Sequence, residues 1–287
     1  MDIGIGLPNP IPGTPGSTLV EWARRAEGRG FSSLATIDRI AYPSYESLIS
    51  LAAAGAVTTR IGLLTNVLLG PTRNPVLLAK EAASVDRLSG GRLTLGLGVG
   101  GRKDDFEAAE QSFEDRGKRW DEALELMHRI WKGEPLVPGS NPVGPRPTRE
   151  GGVPILIGGM SDKAIERTIR WGIGWTAGGA PAEQVAPFAE KVRAAWKESG
   201  RDGQPRIVAL GYFALGDRAE EGATAYIKDY YAFLGQWADQ IAQGVPKSPE
   251  AVRGTLASFQ DLGVDQFIFD PTIAEIEQVD LLAEALL

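Results

Sequence analysis

Short apolar runs alternate with longer amphipathic segments from one end of the chain to the other, and few architectures accommodate that alternation. The runs are of strand length, whereas the segments between them repeat apolar side chains at the helical period of about 3.6 residues. The repeated unit is therefore a strand followed by a helix, which excludes a sandwich and a helical bundle. Strands are predicted over Ile3 to Leu7, Ser33 to Ile37, Ile61 to Leu68, Leu93 to Gly98, Pro154 to Ile157, Gly174 to Ala177, Arg206 to Leu215 and Gln266 to Asp270. Helices are predicted over Ser17 to Ala26, Tyr45 to Val57, Pro75 to Leu88, the stripe Trp120, Leu124, Met127 and Trp131, and Ser161 to Arg170. Further helices follow over Ala182 to Ser199, Glu220 to Gln243, Pro249 to Leu262 and Ile273 to Leu286.

Eight such units in 287 residues, slightly more than the roughly 250 usual for the architecture, predict an α/β chain forming a single (β/α)8 barrel over residues 1–287. A doubly wound sheet is the alternative. Its glycine fingerprint belongs after the first strand, whereas Gly4-Ile5-Gly6 lies inside that strand with Pro8 behind it. Gly133 to Gly152 is too dense in Gly and Pro for a helix or inner strand, so it reads as an excursion loop, either a lid or a passive surface loop. Barrels gather their chemistry at the carboxyl ends of the strands, here near residues 8, 38, 67, 98, 158, 178, 213 and 270.

Charge narrows the partners. Thirty basic against 37 acidic side chains leave a net charge of -7, which argues against a large footprint on nucleic acid or anionic membrane and favours a small-molecule substrate. Without cysteine there is no disulfide, thiolate metal site or cysteine nucleophile, and no metal site is expected. Asp2 stands where a secretory signal would carry a basic residue, and no run approaches the roughly 18 apolar residues of a membrane span. A cytoplasmic location is the expectation.

From Arg73 onward the residues become specific. The run Arg73-Asn74-Pro75-Val76-Leu77-Leu78-Ala79-Lys80-Glu81, then Asp86-Arg87-Leu88-Ser89-Gly90-Gly91-Arg92-Leu93 and Gly96-Leu97-Gly98-Val99-Gly100, resembles the luciferase-like flavin-dependent oxidoreductases. Gly30-Phe31, Ala35-Thr36-Ile37-Asp38, Ile157-Gly158-Gly159-Met160-Ser161 and Gly172-Ile173-Gly174-Trp175 extend the likeness over most of residues 1 to 180. Beyond that only the order of elements is shared. The resemblance implies a barrel that takes a flavin in its mouth, either reduced FMN or the deazaflavin coenzyme F420. It also implies a non-proline cis peptide at Asn66-Val67 under the ring, with Gly98, Gly100 and Asp104 near the cofactor. The neighbours Asp105, Glu107 and Glu110 admit the plainer reading of a solvated helix face.

The residues themselves add a phosphate site. Gly158-Gly159-Met160-Ser161 lies where a strand feeds a helix, so unpaired N–H groups, a dipole end and a hydroxyl converge there, and Gly178-Gly179 after the next strand completes the cradle. Tight turns are the alternative reading of these glycines.

Departures from the family pattern decide between chemistries. Many relatives carry Asp-His after the second strand, where this chain has Asp38-Arg39. The sole histidine, His128, falls beside the apolar stripe of a helix, a structural position. Deazaflavin enzymes acting on sugar phosphates or alcohols use a Glu just after the fourth-strand glycines, where Gly101 stands. Hydride transfer thus lacks its usual proton carriers. The leading expectation is a monooxygenase that uses reduced FMN from a separate flavin reductase, and molecular oxygen, on a hydrophobic organic substrate. Deazaflavin-dependent hydride transfer and a non-enzymatic flavin-binding barrel are the alternatives. Arg39 is expected as a permanent cation beside the flavin, held by Asp38, or as half of a rim ion pair. Leu7, Pro8, Tyr42, Leu69 and Phe213 are expected to form the apolar substrate rim. Exposed apolar helix faces and the resemblance point to a homodimer.

Overall fold

Side-chain parity along each strand determines which residues fill the barrel and which meet the helices. In the computed structural model, which describes residues 1–287, eight parallel strands close in chain order: β1 (Asp2–Gly6), β2 (Ser33–Thr36), β3 (Gly62–Leu69), β4 (Leu93–Gly98), β5 (Ile155–Gly158), β6 (Gly174–Thr176), β7 (Arg206–Phe213) and β8 (Gln266–Pro271). The helices are α1 (Gly16–Arg29), α2 (Ser47–Ala56), α3 (Pro75–Leu88), α4 (Lys103–Ala108), α5 (Arg116–Trp131), α6 (Asp162–Trp171), α7 (Ala182–Glu198), α8 (Ala219–Tyr230), α9 (Trp237–Gly244), α10 (Pro249–Asp261) and α11 (Glu277–Leu286). Ala35, Leu64, Leu156, Val208, Leu210 and Ile268 plug the lumen, while their alternates, such as Leu34, Leu63, Ile157 and Phe267, join the larger core against the helices.

That parity corrects two rim assignments. Leu7 and Phe213 are buried in the outer core, Phe213 edge-on to Phe269 at 6.2 Å, so neither faces the mouth. Tyr212, one residue before Phe213, faces it instead. Pro8 is buried as β1 passes into its loop.

The excursion loop is not a lid. It links the end of α5 to the start of β5 and so runs at the amino-terminal end of the barrel. The Thr148 N–H donates to Asp86 at 2.6 Å, and Arg149 borders a pit with Asp2, Arg206 and Gln266, which open β1, β7 and β8. The helix predicted over Glu220 to Gln243 is two, α8 and α9, separated by a 3₁₀ turn over Ala232–Leu234. That break lies after β7, on the carboxyl face, and it supplies the actual cover of the mouth. No helix is long and apolar enough to cross a membrane.

Candidate active site

A cavity of about 230 Å³ opens at the carboxyl end of the strands. Its floor is made by β3, whose register against β4 shifts between Thr65 and Leu68, and the Asn66–Val67 peptide bond there is cis, as the family resemblance implies. Asn66 reaches across the lumen: Thr176 Oγ1 donates to its Oδ1 at 2.6 Å, while its buried Nδ2 has no partner in the protein. Val67 is clasped from both sides, since a Cβ on Gly98 would stand 2.7 Å from Val67 Cγ2 and one on Gly158 2.8 Å from Cγ1. These two glycines therefore make room for a floor residue. Gly98→Ala or Gly158→Ala is expected to cost roughly 1–3 kcal/mol through overpacking. Denaturant unfolding measures this, and unchanged midpoints would mean that Val67 is loosely held.

The pair Asp38-Arg39 is not a pair. Asp38 takes Arg73 in a two-pronged bond of 2.7 and 2.9 Å, accepts from the Leu69 N–H at 2.9 Å, and meets Ser47 Oγ at 3.3 Å. It ties β2, β3 and the lead-in to α3 together, which is what the Arg73-Asn74-Pro75 motif supplies. Arg39 is held instead by Asp105, its Nε lying 3.1 and 3.0 Å from the two carboxylate oxygens, and by Asp104 at 3.0 Å. The side chains of Arg39 and Asp105 are 4% and 1% exposed, whereas Asp104 is 47% exposed, so the sequence reading chose the weaker neighbour. Asp105 also accepts from the Ile40 and Ala41 N–H groups, each at 2.8 Å. Hydrogen bonding from Arg102 keeps the Asp104 carboxyl below its ordinary range. Two carboxylates thus offset Arg39 and Arg102, and what Arg39 offers the cavity is a directed donor, its buried and unpartnered Nη1, more than a bare charge.

The glycine loops stand on adjacent strands, at the ends of β5 and β6. None of the backbone N–H groups of Gly159, Met160, Ser161, Gly178 and Gly179 is used within the protein. Ser161 Oγ caps α6 by accepting from the Ala164 N–H at 3.3 Å, and Met160 is 44% exposed. Gly178 and Gly179 also border the cavity. Gly100 packs against Phe106 and Leu69 and gives its carbonyl to Arg116 at 3.1 Å, a structural position, while Leu69 itself lines the cavity.

The cover escaped the sequence reading. Tyr230, Tyr231 and Phe233, from the break between α8 and α9, close over the cavity. Tyr231 shares a 2.8 Å hydrogen bond with the Tyr212 hydroxyl, and the Arg102 guanidinium lies 3.9 Å from the Phe233 ring centre. Tyr42 packs edge-on to Tyr230 at 5.2 Å, and burial together with its hydrogen bond to Asp229 raises its hydroxyl pKa. The signal available was the surplus helical pattern between the seventh and eighth strands. Asp270, which the sequence marks only as a strand end, is the penultimate residue of β8, is 2% exposed, and burial without a cationic partner pushes its carboxyl up to about 8. His128 sits on α5, its Nδ1 2.8 Å from the Leu124 carbonyl, and takes no part. No cluster of His, Asp and Glu is arranged to hold a metal ion.

Comparison with known proteins places this arrangement. The uncharacterized protein Rv0940c of Mycobacterium tuberculosis is 32% identical over 225 residues, covering 67% of this chain and 77% of that one. Among solved structures, the monooxygenase RslO1 from Streptomyces bottropensis superposes with a TM-score of 0.79 at 24% identity, covering 100% of this chain and 98% of that one. An F420-dependent secondary alcohol dehydrogenase, solved with an F420-acetone adduct, gives 0.80 at 18% identity over 99% and 98% of the two chains. The sequence profile of the luciferase-like monooxygenases matches residues 1–280. With its closed barrel and its bulged third strand under the mouth, the chain belongs to the luciferase-like monooxygenase family.

Proposed function

We propose that the mouth takes reduced FMN and that the protein is a flavin-dependent monooxygenase acting on a hydrophobic organic substrate. The observation that carries this reading is the polarity of the cavity: its two buried, unpartnered polar atoms, Arg39 Nη1 and Asn66 Nδ2, are donors, and they suit the carbonyl-bearing edge of a flavin ring. Reduced FMN supplies the electrons that activate oxygen, one atom of which enters the substrate. The chain's own part is to seat the ring on Val67, direct those two donors at it, and hold phosphate on the free N–H groups of Gly159 to Ser161 and of Gly178-Gly179. A cavity of about 230 Å³ is below the roughly 300–1,000 Å³ of ordinary ligand sites, so Tyr230, Tyr231 and Phe233 yield as the ring enters and then exclude water from it. A separate flavin reductase delivers the reduced cofactor.

The cradle is tested by bulk. Gly159→Val and Gly179→Val are expected to weaken FMN binding tenfold or more, about 1.4 kcal/mol each, in anaerobic titrations. Ser161→Ala loses one bond to a charged group, roughly 1.5–3 kcal/mol, and part of the α6 cap. Unchanged affinity in both glycine variants puts the phosphate elsewhere.

A second reading, hydride transfer with the deazaflavin, is favoured by one observation. Arg39 and Gly101 remove the histidine and glutamate used by such relatives, but Asp270 places another acid on β8, in register with the mouth residue Tyr212.

The assembly we propose is a homodimer through α2 and α3. A groove of about 620 Å³ runs between them, and Ile49, Leu77 and Leu88 stand 71%, 55% and 77% exposed along the two helices. Such a stripe matches itself about a two-fold axis. Leu77→Asp is expected to yield monomers in sedimentation velocity. A monomeric unmodified chain contradicts the assignment.

A further inference from the structure

A second chamber, of about 440 Å³, adjoins the mouth cavity on the carboxyl face, and Gly179, Leu210 and Tyr212 line both. Its other walls come from the loop leading into α7, from α9 and from α10. On β7 a Cβ at Gly211 would stand 2.9 Å from Phe267 Cζ, so the strand presents no side chain there. Phe259 and Phe267 close the chamber instead, their ring centres 4.6 Å apart. The mouth, at about 230 Å³, has no room for a second molecule beside a flavin ring, whereas the chamber has the volume of an ordinary ligand site.

The chamber carries no charge. None of the 16 residues around it is Asp, Glu, Lys, Arg or His, in a chain of which 23% is charged. The one acid of α9, Asp239, is paired with Lys228 of α8 at 2.7 Å. An ion entering this space would leave water without meeting a counter-charge, which selects neutral ligands. Trp237, Ile241, Val245 and Phe259 supply apolar surface, and Trp237, the first residue of α9, is 58% exposed. A large ring left open to water on the wall of a pocket is a platform for a second ring. The polar groups on offer are the side-chain amides of Gln184 and Gln240, both exposed.

We propose that this chamber seats the organic substrate beside the flavin, and that the substrate is an uncharged molecule carrying an aromatic ring and an amide or carbonyl group. The proposal rests on the reading that the mouth takes the flavin. The ring lies on Trp237, the apolar body packs on Ile241, Val245 and Phe259, and the polar group meets the two glutamines. Leu210 and Tyr212, common to both spaces, separate the seated molecule from the flavin.

Fluorine NMR of the full chain labelled with 5-fluorotryptophan tests the seat, the Trp237 signal being assigned by its loss in Trp237→Phe. The neutral probe 2-naphthamide is expected to shift that signal. Its charged counterparts 2-naphthoate and 2-naphthylmethylammonium, of similar shape, are expected to bind at least about tenfold more weakly. In equilibrium dialysis, Trp237→Ala and Thr255→Phe, which narrows the chamber from α10, are each expected to weaken 2-naphthamide about five-fold or more while FMN affinity stays unchanged. FMN and 2-naphthamide are expected to bind together. No shift of the Trp237 signal, equally tight binding of 2-naphthoate, parental affinity in both variants, or mutual exclusion of FMN and 2-naphthamide overturns the proposal. Binding of 2-naphthamide as described by a protein that takes no FMN leaves the neutral-ring site standing and removes the flavin.

Discussion

Asp270→Asn is expected to flatten the pH dependence of stability between about pH 4 and about pH 8. Burial raises the Asp270 carboxyl from 3.8 to about 8, so the folded protein keeps a proton that the unfolded chain releases above about pH 4. Raising the pH through that window therefore removes stability, by up to about 1.4 kcal/mol per pH unit, and the loss is complete above the folded-state value. Asparagine keeps the shape and the buried polar atoms but cannot ionise. The variant should thus resemble the parent near pH 4 and exceed it by a few kcal/mol at pH 8, several degrees in melting temperature for a chain of this size. Urea midpoints at pH 5, 6.5 and 8 measure the divergence, and parallel curves for the two proteins would show that the carboxyl is satisfied in the fold.

The opposite sign is expected at Asp105. Asp105→Ala strips the buried Arg39 guanidinium of its closest carboxylate and leaves the Ile40 and Ala41 N–H groups without acceptors. Breaking one side of a buried pair costs roughly 3–5 kcal/mol, because the remaining charge is stranded. Asp104→Ala, in the exposed half of the same cluster, should cost about 0–1 kcal/mol. In a double-mutant cycle, Arg39→Ala should recover part of the Asp105→Ala loss, as expected for groups in contact. Equal effects of Asp104→Ala and Asp105→Ala would contradict the arrangement described for the mouth.

The barrel was legible because periodicity is a backbone property written in every element: the apolar runs and helical stripes fix strand order with no knowledge of contacts. Parity at the strand ends was harder. Tyr212 and Phe213 are both bulky and aromatic, so the pattern does not say which faces the lumen, and the register of β7 on β8 decides it. The Asp38-Arg39 pair misled because adjacent residues on an extended segment point to opposite sides, which sends one to Arg73 and the other to Asp105. Asp105 lies 66 residues from Arg39 and Asp270 is 58 residues from Tyr212, separations that no local pattern spans. The glycine loops were legible because a strand feeding a helix through glycine leaves N–H groups free whatever packs around them. The cover from Tyr230 to Phe233 was hidden inside a continuous helical pattern, and only the fold shows that it breaks over the mouth.

Anaerobic competition between reduced FMN and the deazaflavin, followed by admission of oxygen, bears most directly on the central claim. Reduced FMN is expected to bind in the low micromolar range or weaker, to lose affinity in Gly159→Val and Gly179→Val, and to support oxygen-dependent conversion of the organic substrate. Tight binding of the deazaflavin alone, with substrate reduced or oxidised at the same rate whether or not oxygen is present, would contradict it.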